Sequence, residues 1–181
     1  HNLRRLRPMG SRIGEVGEAR RLVERADREL REQGEDIVMP ALGVMVEVPS
    51  AVYQAQEIAR RVDFLSIGSN DLTQYLLAVD RNNARVAALY DALHPAVLRA
   101  IVQVVEAGHA QGRPVGVCGE MAGDPAAALA LLGMGIDHLS MSVASLPRIK
   151  WMIRTFPRAR ARELLDEVLR CDSAEAVRLQ L

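Results

Sequence analysis

The sequence is poor in the residues on which several protein classes depend. Aromatic residues make up 3% of its 181 residues, and there are only two cysteines, Cys118 and Cys171. The cysteines lie in unlike contexts, without Cys-x-x-Cys or Cys/His spacing, so the sequence indicates neither a disulfide framework nor a structural zinc site. We therefore expect a reducing, cytoplasmic compartment.

An excess of charge of one sign and a long apolar run are also missing. The 23 basic and 23 acidic residues give a net charge of +0, so no basic surface typical of nucleic-acid binding dominates. No apolar run approaches the roughly 20 residues of a membrane-spanning helix, and the Arg-rich start does not resemble a signal peptide. We expect no nucleic-acid or membrane partner. Because the chain begins with His1 and enters a strand-like segment almost at once, we also expect a piece of a longer polypeptide.

The sequence does contain enough apolar residues, 49% of the total, for one core. Short apolar runs near 3–9, 43–48, 64–68, 115–118 and 136–141 predict strands. Helical spacing follows them at 13–33, 52–59, 70–77, 96–110, 126–132 and from 146, with a further short helix near 85–90. This alternation predicts a parallel α/β sheet covered on both faces, either an open doubly wound sheet or part of a (β/α)8 TIM-type barrel.

Polar and reactive side chains follow the predicted strands at their carboxyl ends. They are Glu47, Asn70, Asp71, Cys118 and the pair Ser140 and Ser142. Barrel enzymes build their sites at these strand ends, whereas an open sheet concentrates its site at one switch point. There is no Gly-x-Gly-x-x-Gly or Walker-type loop. The sequence therefore favours part of a barrel, although five units are too few to close one.

Several long motifs occur in colinear order. They are Gly-Val-Met-Val-Glu-Val-Pro (43–49), Phe-Leu-Ser-Ile-Gly-Ser-Asn-Asp-Leu-Thr-Gln-Tyr (64–75), Ala-Val-Asp-Arg (78–81) and Val-Cys-Gly-Glu-Met-Ala-Gly-Asp (117–124). From about Leu3 to about Arg154 the chain resembles the phosphoenolpyruvate-utilising enzymes, with the nearest likeness to Enzyme I of the phosphotransferase system, the phosphoenolpyruvate-protein phosphotransferases. The residues at 12–16 and 48–50 are more similar to the nitrogen-branch form of Enzyme I than to the sugar-transport form.

The resemblance implies a fold and a domain division. Residues 1–155 look like strands four to eight, with their helices, of a phosphoenolpyruvate-binding (β/α)8 barrel, and residues 156–181 form a C-terminal helical tail. The family's two phosphate-binding arginines and its phosphorylated histidine would lie upstream. None of the four histidines of this chain has the context of that phosphoacceptor. Arg7 and Gly10 depart from the apolar residues typical of relatives, and Arg7 is expected to perturb the packing of its strand.

The resemblance also implies roles for five residues. Glu47 and Asp71 would bind Mg²⁺, which takes one or two carboxylates and leaves its other positions to water and substrate oxygens. Asn70 and Arg81 would bind the substrate phosphate. Cys118 would be the general acid, because a thiol with an ordinary pKa of about 8.5 is protonated near neutrality yet able to ionise in the reverse step.

Plainer interpretations of the same residues stay open. Each of Glu47, Asp71 and Asn70 is also suited to cap the helix that follows its strand. Cys118 is also suited to be a small core residue. Glu120 is as well suited to helix capping as to orienting substrate, and Cys171 has no evident partner in the sequence.

The implied reaction moves the phosphoryl group of phosphoenolpyruvate to a protein histidine and releases pyruvate. The implied partners are a histidine phosphocarrier protein, bound through the missing upstream region, and a second copy in a homodimer. Pyruvate phosphate dikinase and phosphoenolpyruvate synthase share this barrel and remain alternatives. Another alternative is a non-catalytic assembly fragment, because an incomplete barrel exposes edge strands. We expect little turnover from the isolated chain.

Overall fold

Five parallel strands form one sheet in the order of the chain, in a computed structural model that describes residues 3–10 and 12–181. They are β1 (Arg4–Arg7), β2 (Ala41–Val46), β3 (Phe64–Gly68), β4 (Val115–Cys118) and β5 (His138–Ser140). Each strand pairs in parallel with the next one along the chain. A doubly wound sheet would reverse direction at a switch point, so this order confirms the predicted partial barrel.

Nine α-helices connect and follow the strands in the described part of the chain. They are α1 (Ile13–Glu32), α2 (Pro49–Tyr53), α3 (Ala55–Ala59), α4 (Ser69–Leu77), α5 (Pro95–Ala110), α6 (Pro125–Met134), α7 (Leu146–Thr155), α8 (Arg158–Val168) and α9 (Ala174–Gln180). The predicted helix over 52–59 is in fact two short helices that meet at Gln54, and the one near 85–90 is a single 3₁₀ turn, Ala87–Leu89. None of the described helices is long and apolar enough to cross a membrane.

The two faces of the sheet differ in how far they are buried. Val44, Val46, Leu65, Ile67, Val115 and Val117 are buried in a core with residues of α2, α3 and α5. On the other face Ser66 and Cys118 are only partly buried. The expectation that helices cover both faces was therefore wrong, because sequential right-handed crossovers all return on the same side of the sheet.

Strand β1 keeps its place beside β2 despite its arginines. Arg7 is in register with Val44, and the Nε atom of Arg7 is buried without a hydrogen-bond partner among the described residues. On the opposite face the Arg4 guanidinium lies 5.4 Å from the centre of the Phe64 ring. Arg7 thus leaves an unsatisfied polar atom while the strand pairing persists.

Two aspartates join neighbouring strands at their amino ends in the same way. The Leu42 N–H donates to Asp63 Oδ2 at 2.8 Å, and the Asp63 N–H donates to the Leu42 carbonyl at 2.8 Å. The Val115 N–H likewise donates to Asp137 Oδ2 at 2.8 Å, and the Asp137 N–H donates back to Val115 at 2.9 Å. Each aspartate directly precedes a strand, and its side chain accepts from the N–H of the first or second residue of the strand beside it.

The residues after 155 pack onto α6 and onto the segment that precedes α5. A Cβ atom at Gly133 in α6 would lie 2.4 Å from the carbonyl oxygen of Ala161, so α8 approaches α6 at a distance that only glycine allows. Arg178 of α9 binds both oxygens of Asp91, at 2.6 and 2.8 Å. The domain boundary at residue 155 stays a prediction.

Candidate active site

Glu47 and Asp71 face each other at the carboxyl ends of β2 and β3. Glu47 follows β2 directly and is 3% exposed, and its carboxylate accepts a hydrogen bond from the Met9 N–H. Asp71 lies in the first turn of α4. Neither helix has a side-chain cap, since the N-cap residues of α2 and α4 are Val48 and Gly68. Neither carboxylate is therefore an N-cap of its helix, and the two interact with each other.

The two carboxylates interact unfavourably in this arrangement. Burial raises the pKa of Glu47, the Asp71 charge adds to this rise, and the hydrogen bond from Met9 opposes it. The room for Glu47 comes from Gly68, where an added Cβ would lie 2.8 Å from Oε2 of Glu47. Two like charges held together in a buried setting make a place where a cation is strongly favoured.

Cys118 ends β4 beside these carboxylates. Its Sγ donates to the Ile67 carbonyl at 3.5 Å, and the Ser66 hydroxyl donates to Sγ at 3.9 Å. Burial raises the pKa of the thiol, the charges of Glu47 and Asp71 add to the rise, and the Ser66 hydrogen bond works against it. The thiol is therefore protonated at neutral pH and is able to donate a proton.

Asn70 connects β3 to the loop after β4. Its Oδ1 accepts from the Glu120 N–H at 3.2 Å, and the Ser69 hydroxyl donates to the Cys118 carbonyl at 2.8 Å. Gly119 between them has φ +118, and a Cβ there would lie 2.5 Å from the Ser69 Oγ, so this position needs glycine. Asn70 thus fixes the neighbouring loop and does not cap its own helix.

Arg81 reaches the same end of the sheet from the loop after α4. Its guanidinium Nη1 is 3.1 Å from Oε1 of Glu120, a side chain that is 76% exposed. Glu120 therefore pairs with Arg81 and does not cap a helix through its side chain. Such an exposed ion pair is weak, so a bound anion is able to displace Glu120 from Arg81.

Two further residues belong to the site and were missed by sequence reasoning. The Gln74 side chain bonds both to Asp71 and to the backbone of Arg81. Tyr90 is half-buried; burial raises its pKa, the Glu120 charge adds to this, and a hydrogen bond with Thr73 opposes it. The only sequence signal for Gln74 is its spacing of three residues from Asp71, which places both on one helix face.

A cleft of about 560 Å³ opens on the Cys118 side of the site. Its lining includes Asn70, Cys118, Ser140, Ser142, Ser145 and Arg148. Cys118 is in register with Ser140, which brings the polar end of β5 to the same edge of the sheet. The five residues proposed from the sequence thus lie along one edge of the sheet, with Ser140 and Ser142 beside them.

Glu47 and Asp71 are two carboxylates close enough to be shared by one cation. Among residues 3–10 and 12–181 no group of three or more His, Cys, Asp or Glu side chains is arranged to hold a metal ion. Mg²⁺ differs from zinc or calcium in needing only one or two carboxylates, with water and substrate oxygens completing its shell. The Glu47 and Asp71 pair therefore fits a magnesium ion that binds together with an anionic substrate.

The sequential parallel sheet and the polar edge define part of a (β/α)-barrel whose functional groups lie at the carboxyl ends of its strands. The chain belongs to the phosphoenolpyruvate-utilising enzymes, because the family model of their phosphoenolpyruvate-binding domain matches residues 1–158. A citrate lyase from Burkholderia xenovorans LB400 has a similar fold, with a TM-score of 0.57 and 19% identity over 91% of this chain and 61% of that one.

Several relatives with 42% or higher sequence identity to this chain have names that refer to phosphoenolpyruvate-dependent phosphotransfer. The protein named "Phosphoenolpyruvate-dependent phosphotransferase system" of Escherichia coli K12 is 49% identical over 99% of this chain and 24% of its own length. The phosphoenolpyruvate-protein phosphotransferases of Haemophilus influenzae and Haloferax volcanii are 47% and 42% identical, over 94% and 97% of this chain. The chain spans about a quarter to a third of the length of these relatives.

Proposed function

We propose that this chain is the carboxyl-terminal part of the phosphoenolpyruvate-binding barrel of a phosphoenolpyruvate-protein phosphotransferase. The enzyme would transfer the phosphoryl group of phosphoenolpyruvate to a protein histidine and release pyruvate. One observation carries the proposal: two facing carboxylates lie beside a protonated thiol at the edge of a sheet that belongs to this family. The names of the relatives favour this enzyme over pyruvate phosphate dikinase and phosphoenolpyruvate synthase.

Substrate binding would divide between two groups of residues. Glu47 and Asp71 would hold Mg²⁺, which neutralises charge on the phosphoryl and carboxylate oxygens. Asn70 has its Oδ1 engaged by Glu120 N–H, so its Nδ2 is the end that would donate to a phosphate oxygen. Arg81 would exchange its exposed partner Glu120 for two phosphate oxygens, which match its planar fork.

Cys118 would complete the reaction by moving one proton. The bond between phosphorus and the enol oxygen breaks as the acceptor histidine nitrogen bonds to phosphorus, which leaves the enolate of pyruvate. The Cys118 thiol then donates its proton to the methylene carbon, and pyruvate and a thiolate result. The raised pKa of Cys118 keeps the proton available for this step and returns the thiolate to the thiol afterwards.

Titration of phosphoenolpyruvate into the chain tests the proposal, with Mg²⁺ present and absent, in an isothermal calorimeter. We expect the binding to depend on the metal. The double substitution Glu47→Ala and Asp71→Ala should weaken it by about 100-fold or more, because residues that only support the metal ligands already cost about 10- to 100-fold when they are removed. Asp166→Ala with Glu167→Ala is the matched control, because it removes the same charge from exposed positions on α8. Equal binding by the site variant and the control would refute the roles of Glu47 and Asp71.

A non-catalytic assembly role is the second candidate, and one observation favours it. Strand β1 pairs only with β2 among the described residues, and Leu3 beside it is 71% exposed. Self-association without phosphoenolpyruvate binding would support this candidate. The histidine phosphocarrier partner, the homodimer and the cytoplasmic location stay predictions.

A further inference from the structure

The side chain of Gln74 joins the two halves of the proposed site. Gln74 is half-buried in α4, one turn after Asp71. Its Nε2 donates to Asp71 Oδ1 at 3.2 Å, and its Oε1 accepts from the Arg81 N–H at 3.1 Å. A carboxylate accepts and a backbone N–H donates, so only one orientation of the amide satisfies both contacts.

The backbone of Gln74 holds the same turn. Its carbonyl accepts from the N–H groups of Ala78 and Val79, the latter at 2.9 Å. Ala78 has φ +53, a left-handed conformation that ends α4 and turns the chain toward Arg81. The backbone carbonyl of Gln74 thus holds the turn at Ala78 and Val79. Its side chain holds Arg81, which follows the turn.

We propose that Gln74 is a positioning residue that sets the distance between the Asp71 carboxylate and Arg81. The identity of the two ligands rests on the proposed function, in which Asp71 binds the metal and Arg81 the phosphate. The bond to Oδ1 orients the Asp71 carboxylate, and the bond from the Arg81 N–H holds the start of the arginine side chain beside it. A displacement of either Asp71 or the Arg81 backbone is therefore transmitted to the other through the side-chain amide of Gln74.

The first test uses no ligand and reads the Arg81 amide by hydrogen exchange in NMR spectra of the chain. Gln74→Met keeps the length of the side chain but removes both bonds, so we expect Arg81 N–H to exchange about tenfold faster. Gln74→Glu keeps an oxygen acceptor but loses the donor to Asp71, so it should leave Arg81 protected only where the new carboxyl group is protonated. Ala78 and Val79 are internal references, because they bond to the backbone carbonyl of residue 74.

Two outcomes of this test overturn the proposal. One is an Arg81 amide that exchanges at the same rate in the parent chain and in Gln74→Met. The other is an equal acceleration of Ala78, Val79 and Arg81, which would mean that the substitution loosens the whole turn.

The second test measures binding of Mn²⁺ and of phosphoenolpyruvate to the same variants. We expect Gln74→Met to weaken both by roughly tenfold, while Gln103→Met, an exposed glutamine on α5, changes neither. Unchanged affinities in Gln74→Met would overturn the inference. Absence of binding in the parent chain would count against the proposed function instead, and the exchange rates would then decide the role of Gln74 independently.

Discussion

The two ends of the sheet use carboxylates in opposite ways. At the amino end, Asp63 and Asp137 each accept from a strand N–H, and Asp137 also lies 2.8 Å from Nε2 of His109. Burial disfavours the charge of Asp137, but the bonds from Val115 and His109 outweigh it and hold the pKa below its usual value. At the carboxyl end, Glu47 has a raised pKa beside Asp71.

This difference separates a stabilising role from a proposed functional role within one sheet. The amino-end carboxylates have partners of complementary charge or polarity, so they stabilise the fold as it stands. The repulsion between the two carboxylates at the carboxyl end costs stability, and under the proposed function a bound cation would offset it. Barrel enzymes are known for the same division between their two faces.

The largest effect on stability is expected from removal of an amino-end carboxylate. Asp137→Ala leaves the Val115 N–H, which is fully buried, without its side-chain acceptor. We expect a loss of about 2 kcal/mol in the free energy of unfolding, measured by urea denaturation, and a similar loss for Asp63→Ala. Phosphoenolpyruvate binding should persist in both variants. A loss below about 0.5 kcal/mol, equal to that of the exposed Asp166→Ala, would contradict the comparison.

The stability contributions of Asp137 and Glu47 should depend on pH in opposite directions. The pKa of Asp137 is lowered, so its stabilisation is present above its unfolded pKa of about 3.9 and is lost as pH falls through its folded pKa. The loss in the free energy of unfolding caused by Asp137→Asn should therefore be largest near neutral pH and should shrink in acid.

The pKa of Glu47 is raised, so stability is lost as pH rises through its folded pKa. Glu47→Gln should raise the melting temperature of the metal-free chain by about 2 °C at neutral pH, with no gain below its unfolded pKa of about 4.3. Melting curves across this range check both variants, and a destabilising Glu47→Gln at neutral pH would break the comparison.

The smallest effect concerns the thiol. Because the Glu47 charge contributes to the raised pKa of Cys118, Glu47→Gln should increase the rate of its alkylation by iodoacetamide. We expect about a twofold to threefold increase at pH 8, in a Cys171→Ser background so that one thiol reacts. The same chain unfolded in urea gives the reference rate. An unchanged or slower rate would show that the carboxylate does not act on the thiol.

The sequence was sufficient to predict the strands and the residues that end them. Apolar runs of four to six residues mark β2, β3 and β4, because a parallel strand packed under helices has to be apolar. Glu47, Asp71 and Cys118 stood out because each is a polar or reactive group at the end of such a run or within three residues of it. Their functional roles came from the family resemblance and remain proposals.

Contacts that depend on loop geometry were not predictable. Gln74 meets Arg81 only because Ala78 adopts a left-handed conformation, which no local pattern indicates for alanine. The amino-end aspartates bond to strands 21 and 22 residues away. Their one signal in the sequence is the repeat Asp-x-Leu-Ser at 63–66 and 137–140.

The ion pair between Arg178 and Asp91 has a consequence for the order of events during synthesis. Its two members are 87 residues apart, and Asp91 directly follows Tyr90 at the candidate active site. A ribosome delivers Asp91 long before Arg178, so the segment around Tyr90 gains this contact only when α9 has emerged. Helix α9 therefore completes the anchoring of a loop that borders the candidate active site.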